Sequence, residues 1–234
     1  MVLTILFPIS YGMTQTHTDY QVQYQGSLKS IIHQGNIVAR VDLTDFKNIP
    51  HLFALGARKH LQGEILIMNE KPFISYVQNN EMVIDTSYNH EATLFVYASV
   101  DKWTSTPIPG TISSMTELEQ YIESVAKDQN IDTAKPFPFR LEGQAISVDW
   151  HVIDWEVGDT VHTHKKHRRS GLHGRITEKP VEIVGFYSNS HHGIFTHKHT
   201  NMHAHVKTTD NKISGHIDDF VPGDDMILFL PEIK

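Results

Sequence analysis

The spacing of three histidines around a predicted hairpin constrains this chain more than any other feature. In Asn201-Met202-His203-Ala204-His205-Val206 two imidazoles stand two residues apart, and on a strand, where side chains alternate, both project from one face. The chain runs on through Lys207 to Asp210-Asn211 and returns through Gly215-His216. A two-residue turn at Asp210-Asn211 pairs residues whose numbers sum to 421, which sets His216 directly opposite His205. Opposed Cβ atoms on antiparallel strands lie roughly 4.5–5.5 Å apart, so three imidazole nitrogens converge on one point. Gly215, beside the third histidine, leaves room for a neighbour or a substrate to come close to the backbone.

Three protein nitrogens with a fourth position open is the arrangement of catalytic zinc, whereas structural zinc sites close all four positions. The chain has no cysteine, which removes thiolate zinc sites, disulfides and cysteine nucleophiles together and leaves nitrogen and oxygen to hold any metal. It has 17 histidines, most of them after residue 150, and imidazole suits borderline divalent ions. We therefore assign His203, His205 and His216 to one divalent ion, Zn2+ by preference, with other transition metals open. The competing reading is that a histidine-rich chain meets these spacings by chance and the rings face solvent. A cupin would also show His-x-His but expects a glutamate a few residues on, where Thr209 and Asp210 stand.

The remaining chain reads as α+β, with mixed, mostly antiparallel sheets and few helices. Gly63 to Met68, a turn at Asn69-Glu70-Lys71-Pro72, and Phe73 to Val77 form strand, turn, strand. Ala92 to Val100, rich in β-branched and aromatic residues, is a buried strand. Ser114 with Glu117 makes a capping box, and Met115, Leu118, Ile122 and Val125 follow at helical spacing, which predicts a helix to about Gln129. Pro136-Phe137-Pro138 stops helix and opens a strand from Leu141 to Val152 with a bulge or bend at Gly143; Val181 to Tyr187 is a further strand. No internal repeat and no low-complexity linker is visible, and 234 residues suffice for one large domain or two fused halves.

Two other histidine-rich stretches read as surface. Residues 162–175 carry four histidines with Lys165, Lys166, Arg168, Arg169 and Arg175, and read as a solvated loop, the alternative being an anion or metal role. His191, His192, His197 and His199 read as a loop rimming the pocket, the alternatives being a second site or a proton relay. The net charge of −7 repels nucleic acid as a whole-molecule field, and no apolar run is long enough for a membrane-spanning helix. Val2 to Ile9 is apolar and followed by Ser10-Tyr11-Gly12, a small-x-small pattern that reads as the end of an export segment over residues 1–15. No Lys or Arg precedes it, so a start further upstream, or a plain first strand, is the other reading. Export or a periplasmic location is preferred to a cytoplasmic one.

The stretch from Gly185-Phe186-Tyr187 to His203-Ala204-His205 and Gly215-His216 resembles the α-acetolactate decarboxylases, whose zinc histidines have the same His-x-His spacing and the same eleven-residue interval to a Gly-His. The resemblance extends to Leu61-Gln62-Gly63-Glu64-Ile65 and to Leu141-Glu142-Gly143, so that residues 16–234 form one metal-binding domain of that kind. The same pattern resembles a wider superfamily that includes a zinc ester hydrolase and PPC domains. The resemblance implies a zinc-dependent lyase that decarboxylates a small 2-hydroxy-3-keto acid such as 2-acetolactate to acetoin. Glu64 takes the place of the family's glutamate near the zinc, as ligand or acid/base. Two departures stand out. His151 occupies the place of the family's active-site arginine, and imidazole can donate a proton but offers a carboxylate no bidentate fork. The family's C-terminal tail, with a second glutamate near the metal, has no counterpart before Lys234. The expected catalytic residues are thus Glu64 and His151, the other readings being an exposed strand carboxylate for Glu64 and a core histidine bonded to a backbone carbonyl for His151; the expected partner is a small-molecule substrate, without nucleic acid or membrane and with a homodimer left open. The alternatives are a zinc-dependent ester hydrolase with the same ligands, or a non-enzymatic metal- or ligand-binding module.

Overall fold

In a computed structural model, which describes residues 20–233, the chain forms two antiparallel sheets packed face to face. The predicted export segment lies outside the described residues. The first sheet comprises β1 (Gln23–Gln25), β2 (Val41–Asp42), β3 (Leu52–Arg58), β4 (Glu64–Met68), β5 (Lys71–Gln78), β6 (Glu81–Asp85) and β7 (Glu91–Ser99), with helix α1 (Leu28–Gln34) between β1 and β2. Its order is β1-β7-β3-β4-β5-β6, with β2 also on β7. The expected hairpin is β4–β5, turning at Asn69 and Glu70, both in the left-handed region with φ 48° and 68°, as tight hairpins require.

The second sheet contains β8 (Trp103–Pro107), β9 (Phe137–Val152), β10 (Leu172–Tyr187), β11 (Met202–Thr208), β12 (Ser214–Pro222) and β13 (Ile227–Pro231). Strands β9, β10, β11 and β12 each pair with the next and β12 returns to β9, so four strands close into a ring with β13 and β8 attached. Closure removes free edges from these four strands. Helix α2 (Met115–Asp128) buries Leu118, Ile122, Val125 and Ala126 against the ring. Ser114 caps it by accepting from Glu117 N, but the Glu117 carboxylate accepts from Ser113 N rather than closing the box on Ser114. None of the described helices is long and apolar enough to cross a membrane.

Strand alternation sorts the ring's side chains into two populations. Met202, Ala204, Val206, Trp150 and Ile217 fill the ring's own core. Val184 and Phe186, on the opposite face, pack with Leu55, Leu66 and Met68 of the first sheet. His203 and His205 stand directly across from Phe186 and Val184, so the histidines belong to the face that meets the first sheet. All seven residues of β11 are buried for this reason.

Gly143 is not a bulge. It pairs in register with Val181, and its φ of 144° together with an ideal Cβ 2.8 Å from Asp225 O and Met226 Cα shows that its role is close passage of the chain before β13. The register shifts lie instead between β9 and β12, at Ile217/Asp219 and Val221/Pro222. The basic segment is not a loop either: Thr163 caps a short helix, α3 (His164–Arg169), and residues from Leu172 onward belong to β10. Residues 188–201 form the expected connecting loop.

Candidate metal centre

The hairpin register is the expected one, with His205 opposite His216 and Val206 opposite Gly215. The turn is wider than two residues. Asn211 N donates to Thr208 O and Thr208 N to Ile213 O, while Thr208 Oγ1 and Lys212 N both donate to Asp210 Oδ1. The four residues 209–212 therefore lie between a closing pair whose numbers still sum to 421, so the longer turn preserves the alignment. On the other side of β12, an ideal Cβ at Gly215 would lie 2.6 Å from His151 O. The neighbour that needs this glycine is the backbone of β9, and the close passage seats His151 directly across from His216.

His203 Nε2 lies 3.2 Å from His216 Nδ1, which lies 3.3 Å from His205 Nε2. His216 Nδ1 has a single lone pair and cannot accept well-directed hydrogen bonds from both neighbours at once, whereas one cation satisfies a lone pair on each of the three rings. Ligand nitrogens at about 2.0–2.1 Å from a tetrahedral zinc are separated by roughly 3.3 Å, so the residues fit a divalent ion. These are the one group among the described residues whose histidine and carboxylate atoms converge in this way. Burial lowers the pKa of all three, His205 to about 3 and His203 and His216 well below the ordinary value; His151 lowers each further, with His205 acting also on His203 and both of these on His216. All three are thus neutral at neutral pH, the form that binds metal. The backbones of Phe195 and Ile65 act on His203 and His205 to favour the protonated ring, yet neither Nδ1 makes a hydrogen bond of normal geometry.

Glu64, at the start of β4, points from the first sheet into the same space. It is 5% exposed, with Oε2 3.6 Å from His205 Nε2 and Oε1 accepting from Ile153 N at 3.3 Å. Burial and then Asp218 raise its pKa, and the Ile153 amide opposes them. His151 faces the cluster as well: its ring lies 4.8 Å from that of His216 and its Nε2 4.0 Å from Glu64 Oε1. Trp150, the next residue, points into the ring core. The structure therefore brings all five sequence-selected residues together.

Two further residues border the group. Asp218, at the β12 register shift, accepts from His151 Nδ1 at 3.0 Å with both side chains almost fully buried; its other oxygen accepts from Arg168 Nε at 3.0 Å. A bulge re-aims side chains, and no local pattern announces one at 218. His197, from the 188–201 loop, sets its ring 5.7 Å from His216 and 6.3 Å from His203; burial, with His164 and His151 beside it, lowers its pKa to about 4. The other loop histidines do not join: His191 stacks on Phe195, His192 bonds Asn201, and His199 is exposed. His162 and His167 pair with each other around Trp155.

No family model and no curated protein matches this chain. Solved structures do. The α-acetolactate decarboxylase of Bacillus subtilis strain 168 aligns over 90% of this chain and 85% of its own, with a TM-score of 0.70 at 13% identity. The enzyme from Bacillus subtilis subspecies spizizenii aligns over the same shares with a TM-score of 0.69 at 14% identity. A Staphylococcus aureus protein of unknown function, described as similar to that enzyme, gives 0.67 at 12% over the same shares. The chain has the acetolactate decarboxylase fold, in line with the sequence resemblance.

Proposed function

We propose that this protein is a metal-dependent carboxy-lyase, using zinc by preference, that acts on a small 2-hydroxy-3-keto acid such as 2-acetolactate and releases acetoin. The observation that carries this reading is the convergence of His203 Nε2, His205 Nε2 and His216 Nδ1, with Glu64 and His151 bordering them, on a fold shared with acetolactate decarboxylases. The ion these histidines would hold supplies Lewis-acid polarisation of the substrate's hydroxyl and keto oxygens and stabilises the charge that develops there.

The chain's own residues then have definable work. When the bond to the carboxylate breaks and carbon dioxide leaves, its electron pair stays with the substrate, and one carbon must receive a proton. Glu64 can supply it, because burial favours the protonated carboxyl; a bound cation pulls the same group back towards its anion, so it can also accept a proton or serve as a ligand. His151 is the second candidate. With Asp218 accepting from Nδ1, the tautomer is set and Nε2, on the Glu64 side, is the nitrogen left to hold or release a proton. Asp218 is in this reading a positioning residue for His151.

The His151–Asp218 pair also favours a second reading, zinc-dependent ester hydrolysis, since an imidazole held by a carboxylate is suited to take a proton from water. Incubating metal-loaded protein with 2-acetolactate and, separately, with a p-nitrophenyl ester separates the two. Acetoin release that falls with His205→Ala supports the lyase. Ester turnover without acetoin moves the hydrolase ahead, and full metal occupancy with neither activity leaves the binding module. His151→Ala should keep metal and lose turnover, while His151→Arg should favour acetolactate over esters.

A further inference from the structure

The basic segment holds a feature that the metal centre does not use. Helix α3 has no acidic residue, and Lys165 stands three and four positions before Arg168 and Arg169, so like charges share one face, an arrangement that weakens a helix. Their placement near its C-terminal end offsets part of that cost. Lys166 pairs with Asp159, Arg168 with Asp218 at 3.0 Å, and Arg175 of β10 holds Asp149 through two bonds of 2.5 and 2.7 Å. Lys165 and Arg169 form no ion pair with any described residue. Lys165, Arg168, Arg169 and Arg175 line one cavity of about 690 Å³, with His164 and His173 on its wall and Asp149 and Asp218 as its two carboxylates. Trp150 also lines it beside Gly174, where an added Cβ would lie 3.1 Å from the indole Cζ2.

We propose that this cavity binds a small anion carrying two or more negative charges, of the phosphate or phosphate-ester class, through Lys165 and Arg169. Both carboxylates of the cavity are already matched by arginines, so the two remaining cations leave an excess of positive charge in a concave site. Such a site concentrates small anions, and guanidinium with ammonium suits phosphate oxygens. A long polyanion is disfavoured by the net charge of −7 and by the carboxylates on the wall. The site stands apart from the lyase reading: His203, His205 and His216 are not among its lining residues. It adjoins the centre through Asp218, shared with His151, and through His164, whose ring lies 4.6 Å from His197.

Titration calorimetry of the metal-loaded protein with inorganic phosphate and with pyrophosphate tests the assignment, each repeated after chelation because a metal ion also attracts phosphate. We expect pyrophosphate binding to persist after chelation and to weaken about tenfold or more in Lys165→Ala/Arg169→Ala. The Lys165→Gln/Arg169→Gln pair, which keeps long side chains, should weaken it as much, and Lys47→Ala/Lys102→Ala should leave it unchanged. Binding that vanishes on chelation, that survives both Lys165/Arg169 pairs, or that a short DNA duplex outcompetes at equal ionic strength would overturn the proposal.

Discussion

Two histidine-rich regions of this chain meet opposite fates. Residues 203–216 bring three imidazoles onto one point, whereas residues 162–175, with four, disperse theirs: His162 and His167 pair around Trp155, His164 turns to His197, and His173 joins the wall of the basic cavity. The difference lies in periodicity and backing. On β11 a spacing of two puts both rings on one face, and cross-strand pairing adds the third. In 162–175 only His164 and His167 lie on α3 and each turns to a different partner, while His162 precedes the helix and His173 follows it on β10. The strand histidines are also covered by the first sheet and held neutral by burial, while α3 has no buried residue at all. Histidine density alone does not bring imidazoles to one point; a shared strand face covered by packed structure does.

The strongest way to break this contrast is to remove one ring from each region. His205→Ala should lower zinc affinity by at least the roughly 100-fold seen when outer partners of metal ligands are lost, with His167→Ala leaving it unchanged. Elemental analysis after dialysis reads both, and full occupancy in His205→Ala would sink the three-histidine assignment.

Acidification probes the same contrast through burial. The three strand imidazoles have folded pKa values below the unfolded value, so the unfolded state binds protons first. The stability they contribute is complete above about pH 6.5 and is lost as pH falls towards 3. In chelator, urea midpoints should drop steadily from pH 7 to 4, and His205→Gln should flatten the slope. A midpoint independent of pH over that range would contradict the neutral buried cluster.

A third change sharpens the geometry without touching a ligand. Gly215→Ala forces β12 away from His151 O and should cost about 1–3 kcal/mol, a fall of a few degrees in Tm, with weaker metal binding. Wild-type stability in this variant would mean that β9 does not depend on the close passage. The smallest effect belongs to the other region: Thr163→Ala removes the cap of α3 and should cost about 1 kcal/mol at most, visible as faster amide exchange in 164–169 with metal binding intact. Metal loss in this variant would show that α3 supports the centre.

What the sequence determined by itself was whatever depends on neighbours along the chain. Alternation on β11 and the return through Gly215-His216 specify a shared face and a register, and this register survived a turn of different length. The helix behind Ser114 and the β4–β5 hairpin were legible for the same reason. Glu64 and His151 were legible only through family likeness, since no local pattern links them to the histidines. Tertiary structure alone decided the rest: the sheet that covers the histidines, the register shift that presents Asp218 to His151 from 67 residues away, the approach of His197 from its loop, and the folding of 164–169 into a helix beside a basic cavity. These depend on which surfaces meet when strands close and sheets pack. Side-chain periodicity says which face a residue occupies but not what that face will touch.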